Sequence, residues 1–214
     1  LYKNLVAGIG IYEKGLYPRE LAGKRVYSTW SGLLNRCYGI KTGIKNQSYK
    51  GCSVHPDFIK FQDFAAWACK QVGFDKEGWH LDKDILVPGN KVYGPDTCCY
   101  VPTQINSLII KPTLPDDLPV GITYYKPTNR YVASIGISGT RKYLGCSNSI
   151  DELMPLYQAA KSEYIIQVAN QWKDQIGWRV YVALIELADN ILGKYVGRKI
   201  VDSEFLQQRF LIRR

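Results

Sequence analysis

The stretch WHLDKDILVPGNKVYGPDTCCYVPTQIN, residues 79–106, decides how the N-terminal part of the chain is built. Residues 79–85 read as a strand, and Pro88-Gly89-Asn90-Lys91 supplies turn chemistry. Residues 98–101 form a second, short strand. Pro102 stands where a first helical turn tolerates proline, ahead of Ile105, Asn106, Leu108 and Ile109. The segment 78–110 therefore reads as strand, turn, strand, helix.

Upstream, residues 1–27 predict an extended arm or a short hairpin. Ser28-Thr29-Trp30 caps a helix carrying Leu33, Leu34 and Cys37 at helical spacing. A basic Gly/Asn/Ser loop covers 39–51, and a second helix is expected over 56–71. Downstream, 111–119 is a linker with three prolines and two aspartates. Three short strands follow at 121–126, 130–137 and 141–145, with turns at 127–129 and 138–140. Ser149-Ile150-Asp151-Glu152 is a capping box, and the helix it opens carries Leu153, Tyr157, Ala160, Tyr164 and Val168 on one face. Pro155 falls late for a first turn. A final apolar helix is expected over 180–192. The fold class is α+β, organised as an arm (1–27), a first domain (28–112), a second domain (120–176) and a C-terminal helical segment (177–214) that pairs two chains or packs on the sheet.

Charge narrows the partner. The net charge is +9, and its placement is uneven. Residues 23–56 hold no acid but carry Lys24, Arg25, Arg36, Lys41, Lys45 and Lys50. Residues 121–146 are also acid-free and carry Lys126, Arg130, Arg141 and Lys142. Basic stretches interleaved with Tyr and Trp suit a polyanion, against the plainer reading of a solvated basic face. Neither stretch is a basic amphipathic helix, and no apolar run approaches the roughly 18 residues of a membrane span. The six cysteines include no C-x-x-C pair, which fits free thiols in a reducing cytoplasm better than zinc or disulfides.

Several motifs carry a family resemblance. Residues 78–110 resemble the ββα-metal core of HNH endonucleases. The passage 81–106 is similar to a phage set often labelled HNH homing endonucleases, in which it follows a W-x-x-x-L-x-R-C-Y segment, here 30–38, and a Y-K-G-C-x-V segment, here 49–54. Residues 121–172, with a Y-L-G turn at 143–145, look like the AP2 domain that such proteins carry. The resemblance implies an HNH-like core preceded by helices, then an AP2-like three-stranded antiparallel sheet packed on a helix.

The family's chemistry transfers only in part. Cleavage needs a neutral imidazole to deprotonate water and a divalent ion such as Mg²⁺ to stabilise the leaving oxygen. Asp82 matches the metal-binding acid, but Lys83 occupies the position of the catalytic His. The motif's middle Asn falls on Thr97, and its last on Asn106. Asp82 and Asn106 could hold the metal; the alternative for Asp82 and Asp84 is a solvated hairpin edge. Lys83, with an ordinary pKa of about 10.4, suits a phosphate rather than proton abstraction. His80 stands as a relocated base or as a structural, part-buried residue, and His55 reads as structural. Asn90 has a complete turn explanation and is not counted as a ligand.

The AP2-like half needs no catalytic group. Alternation along 130–137 puts Arg130, Val132, Ser134 and Gly136 on one face, with Tyr131, Ala133, Ile135 and Ile137 on the other. The first face, joined by Tyr125 or Lys126 and by Arg141 or Tyr143, with Lys142 beside them, is expected to meet double-stranded DNA. Arg36 is a further DNA contact. The expectation is a cytoplasmic, DNA-associated protein of phage type, derived from a homing endonuclease, lacking cleavage and acting as a repressor. A divergent metal-dependent HNH endonuclease is the alternative. A pure binder needs no cofactor, and two-fold sites suggest a homodimer.

Overall fold

Trp30, Leu33 and Leu34 share the buried face of helix α1 (Arg25–Tyr38), and the first core condenses around them. The computed structural model describes residues 5–39, 49–109 and 118–193. They divide into two compact units: residues up to 110 together with 168–183, and 111–167 together with those from 184 onward.

In the first unit the Trp30 ring lies edge-on to Phe61 at 5.5 Å between centroids, and Phe58 meets Phe64 at 5.0 Å. Trp30 Nε1 donates to the Phe58 carbonyl at 2.8 Å, so its one polar atom is satisfied inside the core. Helix α1 starts earlier than its sequence cap suggests. The Ser28 amide already donates to the Lys24 carbonyl at 2.9 Å, which puts Ser28 inside the helix rather than at its start. Burial of Val26 gives the additional turn its reason.

The helix expected over 56–71 is interrupted. A 3-10 turn spans Pro56–Phe58, and helix α2 covers only Phe61–Ala68. Ile11 causes the break: its amide donates to the Ile59 carbonyl and its carbonyl accepts from the Phe61 amide, both at 2.9 Å. The N-terminal segment is thus laced into the core, with Tyr12 packed on Tyr27 and Phe61. Val6 and Gly10 form an isolated antiparallel bridge ahead of it, so the described part of 1–27 takes the hairpin-like option and is not an arm.

Two small sheets complete this unit. Strand β1 (Ser53–Val54) pairs in parallel with β3 (Val92–Tyr93), a pairing that the sequence does not announce. Strand β2 (Trp79–Asp82) pairs antiparallel with β4 (Cys99–Pro102), in register His80 to Val101 and Asp82 to Cys99. Strand β2 stops at Asp82 because Asp82 Oδ1 accepts from the amides of Asp84 and Ile85, each at 2.7 Å, which turns the chain. Pro102 closes β4 opposite Trp79, and α3 (Thr103–Ile109) begins after it, so Pro102 is not a helical residue. Trp172 also belongs here, donating to Gln104 Oε1 at 2.8 Å.

The second unit is a three-stranded antiparallel sheet packed on a helix. Strands β5 (Ile122–Tyr125), β6 (Arg130–Ile137) and β7 (Thr140–Ser147) lie in that order, and Ile122 and Ala133 pack on Leu153 of α4 (Ile150–Trp172). A bulge interrupts the β6–β7 register: Ala133 pairs with Gly145 and Ser134 with Tyr143, leaving Leu144 unpaired to pack on the core. Helix α4 starts after Ser149, as the capping box predicts. Glu152, however, accepts from the Ser147 hydroxyl, which in turn accepts from the Ser149 amide at 3.0 Å. Pro155 lies inside the helix. The bond it cannot donate falls on Asp151, in the first turn, where the loss is smallest.

Helix α5 (Trp178–Gly193) closes the described chain. Val180, Leu184 and Ala188 form its buried stripe. Among the described residues, no helix is long and apolar enough to cross a membrane. The linker at 111–119 and the loop at 39–51, with Lys41 and Lys45, lie largely outside the described residues.

Sheet and helix meet with no room at Gly121. Its φ is +89°, and a Cβ there would overlap the Tyr157 ring. Gly121→Ala should lower stability by roughly 1–3 kcal/mol, read from urea unfolding, through both the strained φ and the crowding.

Candidate nucleic-acid interface

Pairing across the sheet fixes which side chains stand together, because residues directly opposite in an antiparallel ladder share a face. Tyr125 is opposite Arg130, Thr123 opposite Val132, and Cys146 opposite Val132 on the other side. Beyond the bulge, Tyr143 is opposite Ser134 and Arg141 opposite Gly136. The face turned away from α4 therefore carries Tyr125, Arg130, Arg141 and Tyr143. Tyr125 is 52% exposed and Tyr143 is 62% exposed. Tyr143 and Cys146 touch: the thiol beside it raises the phenol's pKa, while the Arg130 charge works in the opposite direction.

Three of the residues expected on this face sit otherwise. Ser134 is on it by register but only 9% exposed, so it lies beneath its long neighbours and does not reach outward. Lys142 pairs with Ile135 and so projects toward the α4 side of the sheet, though it is exposed. Lys126 lies in the 3-10 turn Lys126–Thr128 that joins β5 to β6. Among the described residues no ion pair involves Lys126, Arg130, Arg141 or Lys142.

One end of the sheet opens into a shallow cleft of about 590 Å³, lined by Tyr124, Thr128, Asn129, Arg130, Tyr131 and Asn148. The rings of Tyr124 and Tyr131 approach to 5.3 Å, and the Tyr124 hydroxyl donates to Asn129 Oδ1. Asn129 holds a left-handed conformation at φ 54°, which an asparagine tolerates and which ends the turn.

In the first unit the residues matching the nuclease motif are committed to structure. Lys83 is not a surface phosphate ligand. It is 5% exposed, and its ammonium donates to both Asp84 oxygens at 2.8 and 2.7 Å and to the Asn90 carbonyl at 2.9 Å. Asp84 is accordingly no free hairpin edge. Asp82 is half-buried, with Oδ1 engaged by two backbone amides; burial raises its pKa despite those bonds. His80 is exposed rather than part-buried, and its Nε2 lies 2.9 Å from the Thr103 hydroxyl. His55 has the structural place expected of it, its Nδ1 accepting from the Asp57 amide at the start of the 3-10 turn. Asn106 is part-buried on α3. Among the described residues, no group of three His, Cys, Asp or Glu side chains stands close enough to hold a metal ion.

Asn90 has the structural turn role expected of it, and its side chain goes further by organising the loop. Its amide nitrogen donates to the carbonyls of Lys83 (2.9 Å) and Val92 (2.7 Å), and its oxygen accepts from the Val92 amide (3.0 Å). Thr97 assists from the other side by donating to the same Val92 carbonyl at 2.8 Å. The turn chemistry of Pro88-Gly89-Asn90-Lys91 announces the turn but not the reach of the Asn90 side chain back to Lys83, seven positions upstream. Arg36 is exposed, with its guanidinium between the Tyr49 and Tyr93 rings at 5.6 and 5.5 Å from their centroids.

All six cysteines are free thiols. Burial pushes Cys98 up to about 12 and Cys37 up to about 11, away from reactive thiolate chemistry. Compared with protein-family models, curated proteins and solved structures, the chain matches none.

Two substitutions test these assignments. Asn90→Ala removes three hydrogen bonds that close the loop, and should cost about 2–3 kcal/mol in chemical unfolding. Asp82→Asn keeps an oxygen for the two backbone amides but removes the charge. Because the folded pKa is raised above the ordinary 3.8, the ionised carboxylate weakens the fold. That penalty is absent at low pH and grows as pH rises from the ordinary carboxylate range through the raised pKa. The variant should therefore melt higher than the native protein at pH 7 and lose the advantage in acid.

Proposed function

We propose that this protein binds double-stranded DNA in a sequence-specific manner through the outer face of the β5–β6–β7 sheet, as an AP2-like reader joined to an HNH-like domain that has lost cleavage. The carrying observation is the composition of one sheet. Its outer face presents Tyr125, Arg130, Arg141 and Tyr143, Lys126 and Lys142 stand at its margins, and residues 121–146 contain no carboxylate. Such a face attracts phosphate and repels nothing on DNA. Arginine can pair bidentately with guanine, while tyrosine and lysine reach phosphate oxygens.

The state of Lys83 supports the non-catalytic half of the proposal. The Lys83 nitrogen spends its hydrogens on the Asp84 carboxylate and the Asn90 carbonyl, and an ammonium so engaged has no lone pair to offer a water molecule. A binder of this kind acts by occupying its site, so repression of transcription at a phage or mobile-element promoter is the role proposed, with a second copy reading the other half of a two-fold site. Such a protein works on DNA in the host cytoplasm and needs no metal.

Arg130→Ala and Arg141→Ala should each weaken duplex binding by about 1–3 kcal/mol in a gel-shift assay against a selected site. Unchanged affinity in both variants would remove the sheet as the binding surface. Incubation of the purified protein with plasmid and Mg²⁺ or Mn²⁺ should leave the plasmid intact. Metal-dependent cutting abolished by Asp82→Ala or His80→Ala would replace this proposal with a divergent HNH endonuclease.

A further inference from the structure

The two exposed arginines of the sheet occupy different surroundings. Arg141 is opposite Gly136, next to the tight β6–β7 turn, with Tyr143 as its neighbour on the outer face. Arg130 stands at the other end of β6, where a cleft wraps the end of the sheet: Arg130 comes to it from the outer face, Tyr124 and Tyr131 from the α4 side, and Thr128, Asn129 and Asn148 from the adjoining turns. None of these lining groups is a carboxylate. Thr128, Asn129 and Asn148 line the same cleft with neutral donor groups. The Tyr124 hydroxyl occupies Asn129 Oδ1, which leaves the NH₂ half of that amide as its donor side. A concave patch with several donors, one full positive charge and no competing acid has the chemistry of an oxyanion site.

Spacing gives a second, independent argument. Arg130 and Gly136 are six positions apart on β6, which is roughly 20 Å of strand. The major groove of duplex DNA is about 12 Å wide and is walled by phosphates. For strands that cross the groove, one end of the sheet reaches base edges while the other lies over a backbone.

We infer that the cleft at the Arg130 end receives a phosphodiester of the bound DNA strand, so that Arg130 clamps the backbone while Arg141 faces the bases. This rests on the DNA-binding reading above and divides its labour. A phosphate contact fixes the position of the sheet without carrying sequence information, whereas a base contact carries specificity.

The test is fluorescence anisotropy of the full chain on two duplexes, one enriched from a random pool and one scrambled, between 50 and 200 mM salt. Arg130→Ala should weaken binding to both duplexes by the same factor, about tenfold. It should also make the slope of log K against log salt less negative by about 0.9, one phosphate's worth of released counterion. Arg130→Lys, which keeps the charge, should retain the native slope. Arg141→Ala should instead reduce the ratio of affinities for the enriched and scrambled duplexes. Loss of sequence preference in Arg130→Ala, or a native slope in that variant, would overturn the assignment. Micromolar binding of inorganic phosphate by the native chain, lost in Arg130→Ala, would also overturn it by making the cleft a free-anion site. A native protein that binds neither duplex at any salt would defeat the DNA-binding reading itself, a result distinct from those.

Discussion

A lysine ammonium taken almost wholly out of water must have its charge answered on the spot, and the loop after β2 is organised to answer it. Lys83 is met by the Asp84 carboxylate and the Asn90 carbonyl, and Asn90 is in turn anchored to the backbone of Lys83 and Val92. Removing one charge from such an arrangement leaves the other stranded, so the parts hold one another in place. The loop delivers Val92 and Tyr93 to β1, and Tyr93 belongs to the aromatic core. The Lys83 cation is thereby fixed as a structural tie.

Local patterns were legible and non-local ones were not. Strand alternation at 130–137, the turns flanking it and the helix start at Ser149 are all visible in the sequence because each depends on residues within a few positions. The pairing of Ser53–Val54 with Val92–Tyr93 spans about forty residues and is two residues long, too short to leave a periodic trace. The break in the 56–71 helix is caused by Ile11, far upstream, whose backbone takes the carbonyl of Ile59 and the amide of Phe61. No property of 56–71 predicts that. Ser134 illustrates the limit on the site: alternation assigned its face correctly, but exposure depends on the long neighbours that cover it.

The charge of the chain becomes informative only when mapped on the fold. Its surplus of +9 is compatible with many soluble proteins. What separates this surface is that the sheet cations have no carboxylate partners among the described residues, whereas Arg25, His55 and Lys83 do. An unpaired exposed arginine keeps its full field and its whole fork of donors for an incoming anion. In the first unit Arg36 is placed differently, flanked by two tyrosine rings that hold its planar group while leaving its edges exposed to solvent. Cations in the two units are therefore presented in distinct ways, one on open sheet and one in an aromatic bracket.

The shape of the sheet limits how it can engage a duplex. On the outer face the central strand carries Arg130 at its start and then Val132, Ser134 and Gly136, all short, while the flanking strands carry Tyr125 on one side and Arg141 and Tyr143 on the other. The middle of the face is thus a low strip between taller edges, and the bulge at Ala133/Ser134 adds local twist to it. Reach toward a base edge belongs to the long side chains, so under the proposed reading specificity resides on the edge strands, chiefly β7. Past Arg130, the central strand contributes close approach instead. A larger residue at Gly136 would lift the sheet from the groove floor even though Gly136 itself reads nothing.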